Sequence, residues 1–442
     1  MPARHLIIGA GTAGLNAIRT IREEDGGASE ITLVAAERPY SRMVLPYYLD
    51  RSIAESHVFT ATAATLANWK VKTHIGKKAA SLNAQGNTLT LDDGATIEYD
   101  DCLVATGSRA IRPSIPGADL PGVHSFWTLE QAREVIAGIA PGSHVVMVGA
   151  GFIAFTILNS ILSLGAKLTI VEIAPRILPR MVDERGALLV DAWLRKHGVR
   201  ILTGVALTRI EAARGKRRLR FRKGETLLAD LVIMATGIKP NLDWLEGSGI
   251  RMNHGILVDD HLRSSAPNVY AGGDVAEGKD GVTGAPVVHA IEPTAMEHGR
   301  VVGANMAGRD VAYRGSLNMN IVEVCRLDVA SFGAWDDPNA EAFTGLRPER
   351  SAYRKLCWSG DRLTGAIIIG QAADVWTTND VGMLKGLVHA GVRLGAWKEH
   401  LRRHPFDVKP AFIASRTTEA LLPQTILGRP SRTPELPATV IR

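Results

Sequence analysis

Three glycines with a fixed spacing, Gly9, Gly11 and Gly14, are the residues of this sequence that most directly suggest a chemical function. They follow an apolar run that is typical of a strand. At such a strand-to-helix turn, the first glycine permits a tight turn, the second lets the backbone approach a pyrophosphate, and the third lets the helix pack on the strand. The phosphates lie at the helix N-terminus, which attracts anions. The spacing therefore predicts a dinucleotide site.

An acidic residue, Glu37, closes the second predicted strand, which covers residues 31–35. A carboxylate at this place accepts hydrogen bonds from an adenosine ribose. A single GxGxxG match is weak evidence, because glycine is common and many tight turns require it. The interpretation gains weight because the same unit occurs twice in the chain.

The second unit begins near residue 145 and repeats the strand, the glycine turn and the helix. The matching positions are Gly149, Gly151 and Ala154 in the turn, Glu172 after the second strand, and Thr236-Gly237, which corresponds to Thr106-Gly107 at the end of a buried strand. Alanine is allowed at the third position of the turn. The same motifs in the same order predict two nucleotide-binding domains that arose by duplication.

With these motifs, the sequence resembles the two-dinucleotide-binding-domain flavoproteins, the pyridine nucleotide:disulfide oxidoreductase superfamily, over residues 1 to about 400. The resemblance implies that the first glycine motif holds the ADP half of FAD and that the second holds NAD(H). A further match at residues 268–274 implies that Asp274 binds the ribityl chain. The segment 290–296 starts a helix with proline in its first turn. In this family, that helix points its N-terminus at the flavin.

The implied site residues form two sets. The FAD set is Gly9, Gly11, Thr12, Ala13, Gly14, Glu37, Arg38, Arg42, Ala105, Thr106, Gly107, Gly273, Asp274, Glu292, Pro293 and Thr294. The NAD set is Gly149, Gly151, Phe152, Ile153, Glu172, Thr236 and Gly237. Glu172 favours NAD over NADP because a carboxylate at the ribose repels a 2′-phosphate. Arg176, four residues further on, can weaken that preference.

The length of 442 residues is too great for a single core. The predicted fold is α/β, with two Rossmann-like three-layer dinucleotide-binding domains and a C-terminal mixed α/β interface domain. The predicted division is 1–110 with 242–314 for FAD, 111–241 for NAD, 315–400 for the interface domain and 401–442 for an extended tail. The tail has many prolines and little periodicity, so we expect either free disorder or docking as a strap.

Two departures from the family pattern bear on the chemistry. Met43 stands where the coenzyme A disulfide reductase and NADH oxidase branches have a redox cysteine, and a thioether forms neither a thiolate nor a mixed disulfide. Tyr47 and Thr156 stand where the ferredoxin reductase-like branch has a lysine–glutamate pair. We expect Met43 and Tyr47 near the flavin and assign no catalytic side chain. The three cysteines include no CxxC pair, which predicts no metal site.

Charge and hydropathy exclude other classes. The net charge is +6, and seven Lys and Arg residues crowd residues 214–223. Leu219 and Phe221 alternate with the charges there, which favours a hairpin with one solvated face over a nucleic-acid site. Residues 145–166 carry no charge, but their glycine turn and polar residues indicate a strand and a helix rather than a membrane span. The first strand starts near the fifth residue, which leaves no room for a signal peptide and predicts a cytoplasmic protein.

The leading functional hypothesis is an electron-transfer flavoprotein. Hydride passes between nicotinamide and flavin, and electrons pass singly to an iron–sulfur or rubredoxin/ferredoxin-type partner. The mostly apolar helix that begins at Phe152 indicates a covered surface, and with the tail it favours a subunit of a hetero-oligomer. One alternative is a stand-alone NADH oxidase that uses oxygen or a small acceptor, as a homodimer. Another is a flavin- and NAD-binding sensor with negligible turnover.

Overall fold

The computed structural model of the chain describes residues 2–224 and 226–421, and its first sheet carries the first glycine turn. This sheet is parallel, with the strand order Val269–Ala271, Asp101–Val104, Arg4–Ile8, Glu30–Ala35 and Val71–Ile75. Ile8 and Val104 lie side by side at the carboxyl edge. The strand at 269–271 joins this sheet from late in the chain, so the polypeptide leaves the first unit and returns to it.

Layers cover both faces of the first sheet. On one face, Ile7 and Leu33 pack with the helices Thr12–Asp25, Ala63–Asn68 and Glu292–Met306. On the other face, Leu6 packs with Leu82 and Leu89 of an antiparallel meander. The meander strands are Ala79–Asn83, Thr88–Leu91 and Thr96–Glu98. Alternate residues of each strand therefore face opposite layers, as a sheet that is buried on both sides requires.

The second unit repeats this construction. Its parallel sheet has the order Arg200–Leu202, Lys167–Val171, His144–Val148, Leu231–Met234 and Val123–Ser125. The helices Leu129–Gly138, Phe152–Thr156, Leu158–Ser163 and Glu184–Lys196 lie on one face. The meander Leu207–Ala213, Lys216–Phe221 and Leu227–Ala229 lies on the other. The predicted α/β class is confirmed.

The basic run forms the predicted hairpin. Leu219 is buried, and the Arg217 guanidinium donates to backbone carbonyls of Pro121 and Asp230 at 2.6 Å each. Lys216 pairs with the Asp230 carboxylate at 2.8 Å. Part of the positive charge therefore stabilises the meander itself.

The remaining elements of the two units are short. An antiparallel pair, Ser108–Ala110 with Ile238–Pro240, links the two units. The remaining strands are Ile256–Leu257, Ala276–Lys279 and Pro286–Val287, and the remaining early helix is Leu45–Leu49. The 3-10 turns are Arg42–Val44, Glu55–Val58, Asp243–Leu245, Gly273–Val275 and Pro348–Arg350.

The C-terminal part is an antiparallel sheet packed between two layers. Its strand order is Met319–Val324, Leu327–Gly333, Arg362–Gln371, Ala352–Ser359 and Glu341–Arg347. One face packs on the second unit. The other is covered by the helices Val375–Ala390, Ala396–Arg403, Val408–Ala414 and Thr417–Leu421.

The prediction of an extended tail from residue 401 is wrong for residues 401–421. These residues are largely helical, and Leu401, Val408 and Ala411 are buried in the C-terminal core. The reason is that the outer face of the sheet, with Leu356 and Ile368, needs an apolar cover. Residues 422–442 of the predicted tail lie outside the described residues.

The apolar helix predicted from Phe152 is divided at Ile157 into two short helices. Its apolar side chains are covered within the chain itself, because Phe155, Leu158 and Ile161 share one core with Val322 of the C-terminal sheet. Asn159 fixes this contact by donating to the Glu323 carbonyl at 3.0 Å. Among the described residues, no helix is both long and apolar enough to span a bilayer.

Candidate functional site

One large cavity, which we call the nucleotide cavity, joins the two glycine turns. It is lined by residues of both turns, of both Thr-Gly strand ends and of the segment 287–295, and its volume is about 1530 Å³. Sites for a single small molecule usually occupy about 300–1,000 Å³. The nucleotide cavity therefore has the size required for two nucleotide cofactors that meet inside it.

The first glycine turn has the geometry that pyrophosphate binding requires. A Cβ at Gly9 would lie 2.0 Å from the Ala105 carbonyl oxygen, and one at Gly14 would lie 2.0 Å from the Gly9 carbonyl oxygen. These two glycines are needed for packing. A Cβ at Gly11 would meet nothing within 4 Å, and Gly11 lines the cavity. Gly11 thus leaves open the space that a phosphate would fill at the N-terminus of the helix Thr12–Asp25.

The second turn matches the first. A Cβ at Gly149 would lie 2.3 Å from the Ala235 carbonyl oxygen, whereas one at Gly151 would meet nothing within 4 Å. Gly9 and Gly149 have φ angles of +117° and +105°, which side chains rarely adopt. In both turns, therefore, the first glycine is required by the packing and the second opens a cradle.

The carboxylate of Glu37 lies at the cavity and is 42% exposed. The Tyr40 hydroxyl donates to it at 3.2 Å, and Arg42 Nη2 lies 3.3 Å from Oε2. Tyr40 also accepts the Leu129 backbone N–H at 3.2 Å. Glu37 is thus held in place while keeping capacity to accept hydrogen bonds from ribose hydroxyls.

Asp274 lines the cavity and receives a hydrogen bond from Ser108 Oγ to its Oδ2 at 2.5 Å. Burial raises the pKa of Asp274, and the Ser108 hydrogen bond acts in the opposite direction. Its other oxygen, Oδ1, has no hydrogen bond from the part of the chain that the structure describes. That oxygen is the acceptor that a sugar-alcohol chain such as ribityl would use.

The helix Glu292–Met306 begins at the cavity with Pro293 in its first turn. Glu292 Oε1 accepts the Thr12 hydroxyl at 3.1 Å, which joins this helix end to the first glycine turn. The N-cap residue Ile291 supplies no side-chain cap. The first backbone N–H groups therefore remain available to an anionic edge of a bound group.

Of the predicted FAD and NAD residues, all but Gly14 and Thr294 line the nucleotide cavity, and Tyr47, which was expected near the flavin, does not line it either. Gly14 acts through helix packing, and Thr294 is 1% exposed inside the first unit. Tyr47 is 57% exposed and lies outside the lining, where Pro46 appears instead. The expectation that Tyr47 approaches the flavin is therefore corrected: the turn Arg42–Val44 and the helix Leu45–Leu49 direct Pro46 inward.

The wall beside Pro46 is free of thiols. Met43 lines the cavity and is 53% exposed, and Thr156 lines it as well, with its hydroxyl donating to the Ile153 carbonyl at 2.8 Å. No cysteine of the described residues lines the cavity. The side chains of Met43, Pro46 and Thr156 are thus neutral and supply no nucleophile.

We expect thiol alkylation to leave NADH-to-dye activity largely intact. Cys102 and Cys357 are buried and Cys325 is half-buried. Burial raises the pKa of each thiol, to about 11 for Cys357, so little thiolate forms at neutral pH. The check is dye reduction before and after iodoacetamide treatment, with labelled sites counted by mass spectrometry. Strong inactivation by less than one equivalent of reagent would contradict it.

On the NAD side, backbone groups orient the Glu172 carboxylate. It accepts the N–H of Ala150 at 2.6 Å and that of Ala174 at 2.8 Å. Arg176 donates to the Pro179 carbonyl at 3.2 Å and does not pair with Glu172. The Glu172 carboxylate is therefore oriented by backbone groups, without a pairing to Arg176, at the place predicted for the ribose.

Sequence reasoning missed polar residues that complete the cavity. Ser108 bonds Asp274 across 166 positions of sequence, and Trp127 Nε1 donates to the Ser108 carbonyl at 2.8 Å. His289 lines the cavity with Nε2 3.0 Å from Asp280 Oδ2. Burial acts to raise the pKa of Asp280, but hydrogen bonds, that from His289 first, lower it to about 2. The only sequence signal for Ser108 was its position after Thr106-Gly107.

Comparison with known proteins identifies relatives over most of the chain. The family model for pyridine nucleotide-disulphide oxidoreductases matches residues 3–299. Subunit epsilon of the NADH-dependent phenylglyoxylate dehydrogenase of Aromatoleum evansii is 33% identical over 377 residues, which are 84% of this chain and 89% of that subunit. The ferredoxin–NAD(+) reductase component of the p-cumate 2,3-dioxygenase system of Pseudomonas putida is 30% identical over 328 residues, 72% of this chain and 80% of that protein.

Among solved structures, an NAD-dependent persulfide reductase from A. fulgidus superposes with a TM-score of 0.81. It is 28% identical, and the match covers 89% of this chain and 78% of that one. With 89% of this chain covered, the similarity extends beyond residue 299.

Proposed function

The chain belongs to the pyridine nucleotide-disulphide oxidoreductase family, and from that premise we propose that it is the cytoplasmic, NAD-linked flavin subunit of a larger redox enzyme. It is an FAD-dependent NAD(H) oxidoreductase. In our proposal it moves electrons between NAD(H) and an iron–sulfur or rubredoxin/ferredoxin-type protein. FAD, when bound, accepts hydride from nicotinamide and releases electrons one at a time.

We assign the cofactors to the two turns by the geometry of the cradle. The residues around Gly11, Glu37 and Asp274 hold FAD, and those around Gly151 and Glu172 hold NAD(H). The chain's own work is to bind both molecules, orient them in one cavity and exclude water from their meeting point. No side-chain acid or base is required for hydride transfer.

The observation that carries the proposal is the composition of the wall around Met43. Disulfide chemistry needs a thiolate beside the flavin, and no cysteine of the described residues lines this cavity. Electrons that enter from NADH must therefore leave to an external acceptor. Two relatives support a protein acceptor, since one is a subunit of a dehydrogenase and the other is a ferredoxin reductase component.

The decisive experiment follows electrons under anaerobic conditions. NADH is added to the purified protein, and bleaching of the visible flavin band is measured. A ferredoxin, a rubredoxin or oxygen is then supplied to separate samples. We expect rapid bleaching, fast electron transfer to one of the two proteins and slow turnover with oxygen.

Other outcomes identify the alternatives. Fast turnover with oxygen alone, from a chain that forms only homodimers, would indicate a stand-alone oxidase. Absence of bleaching would indicate a sensor. Purification at native expression level tests the subunit assignment, because the flavin chain should elute with an iron–sulfur protein in constant ratio.

We expect the protein to prefer NADH to NADPH by about tenfold or more in kcat/KM, which corresponds to roughly 1.4 kcal/mol. The reason is that Glu172 carries a negative charge beside the ribose. Substituting Glu172→Gln removes the charge and keeps an acceptor oxygen, so the preference should shrink mainly through NADPH. Steady-state kinetics with both nucleotides are the measurement. An unchanged ratio in Glu172→Gln would contradict the assignment.

A further inference from the structure

A buried histidine lies directly behind the turn that carries Asp274. His298 is on the helix Glu292–Met306 and is 2% exposed. Its Nδ1 accepts the backbone N–H of Gly273 at 3.2 Å. Because Nδ1 acts as an acceptor, a neutral imidazole carries its proton on Nε2.

The surroundings favour this neutral form. Burial lowers the pKa of His298 to about 3, and the neighbouring His289 contributes in the same direction. The ring of Tyr313 packs edge-on at a centroid distance of 4.7 Å. Nε2 has no hydrogen-bond partner among the described residues. Within the described part of the chain, the hydrogen bond that this side chain makes is therefore the one to Gly273.

Gly273 needs such an anchor. Its φ angle is +73°, in the left-handed region that glycine adopts freely, and it has no side chain of its own to fix the turn. On the other side, Ser108 holds the Asp274 carboxylate at 2.5 Å. Two residues from distant parts of the chain thus fix the backbone and the side chain of the same short turn.

We propose that His298 is a positioning residue for FAD, which holds the backbone of Gly273 so that Asp274 points into the nucleotide cavity. The inference rests on the proposed function, in which Asp274 contacts the cofactor. His298 acts through Gly273 and requires no contact of its own with FAD. The feature required for this role is a neutral imidazole whose Nδ1 accepts the Gly273 N–H.

The test uses three substitutions in the full-length protein, freed of FAD and titrated with FAD. His298→Asn places an amide oxygen close to the position of Nδ1 and retains the acceptor. His298→Gln places its amide near Nε2, and His298→Leu has no acceptor. Leaving the buried Gly273 N–H without an acceptor is costly. We therefore expect the FAD Kd of the His298→Gln and His298→Leu variants to rise about tenfold or more. The FAD Kd of the His298→Asn variant should stay within about threefold of the wild-type value.

A matched control lies on the same helix. The Asn305 side chain accepts the Val311 N–H at 2.8 Å and donates to the His261 carbonyl at 3.2 Å, away from Gly273. Asn305→Leu should lower the urea midpoint and leave the FAD Kd unchanged. Should His298→Leu behave in the same way, His298 is merely structural and the proposal fails. If the Leu variant does not fold, equal FAD affinity in Asn and Gln overturns it. A wild-type chain that binds no FAD would instead refute the proposed function.

Discussion

Substituting Gly11→Val is expected to give a folded protein that has lost FAD. Gly11 has φ −79° and ψ −170°, an extended conformation that valine adopts readily, and its Cβ position is open. The branched side chain would fill the cradle and keep a pyrophosphate from the backbone N–H groups of the first helical turn. We expect the FAD Kd to rise about 100-fold or more, a loss of roughly 3 kcal/mol.

The measurement is FAD content and FAD titration, with circular dichroism to verify folding. The chain contains its own control, because Gly151 has φ −87° and ψ −178° and an equally open Cβ position. Gly151→Val should retain FAD and slow its reduction by NADH. Loss of FAD from Gly151→Val, with retention in Gly11→Val, would show that the two cofactors are assigned to the wrong turns.

Substitutions of two other glycines, Gly9 and Gly14, should impair folding rather than binding alone. A Cβ at Gly9 or Gly14 would lie 2.0 Å from a backbone oxygen, so substitution there disturbs packing before any ligand arrives. Variants at positions 9 and 11 therefore separate folding from binding within a single motif. The sequence motif predicts these separate roles, and the structure adds the distances that show which substitution disturbs packing.

The repeated motifs were predictable because each depends on residues close in sequence. A strand, a tight turn and a helix specify their own backbone geometry. The duplication extends to details: Asp100 accepts the Arg4 N–H at 2.8 Å and Asp230 accepts the His144 N–H at 2.9 Å. Asp100 and Asp230 stand directly before the buried strands Asp101–Val104 and Leu231–Met234. Their role in holding the start of each first strand becomes visible only in the structure.

The unpredicted features depend on contacts between distant residues. Ser108 meets Asp274, and His298 meets Gly273, only after the late strand Val269–Ala271 joins the first sheet. Hydrophobic periodicity along the sequence does not predict such contacts between distant residues. The helices between residues 396 and 421 were missed for another reason: each is short, and burial against the C-terminal sheet, rather than a local pattern, stabilises them.

We expect acid to destabilise the protein already between pH 6.5 and 4.5, and His298 to account for a definable share of the effect. The pKa of His298 is lowered from 6.5 to about 3 in the folded chain. The unfolded chain therefore binds one more proton in this interval. The stabilisation is complete above pH 6.5 and is lost as the pH falls towards 3. The loss approaches about 1.4 kcal/mol per pH unit, or roughly 3 kcal/mol by pH 4.5.

Carboxylates with lowered pKa values reduce the stability of the folded chain at lower pH, so the interval from pH 6.5 to 4.5 reports mainly on His298. The pKa values of Glu55 and Asp280 are lowered to about 2. Their contributions are present above the unfolded values of 4.5 and 3.8 and are lost only as the pH falls below them. Buried Asp380 behaves in the opposite sense, because burial raises its pKa and its protonation in acid favours the folded chain. Of these groups, His298 is therefore the one whose lowered pKa removes stability mainly above pH 4.5.

The variant His298→Asn isolates the contribution of this one side chain. It keeps an acceptor for Gly273 but has no titrating group, whereas the remaining histidines are common to both proteins. Urea midpoints measured at pH 7.5, 5.5 and 4.5 should fall more steeply for wild type than for the variant, by the equivalent of about one proton. Parallel slopes would mean that the His298 imidazole already gains a proton in the folded chain near its ordinary pKa. The assignment of His298 as a buried, neutral acceptor for Gly273 would then be wrong, whatever the FAD affinity of the variants.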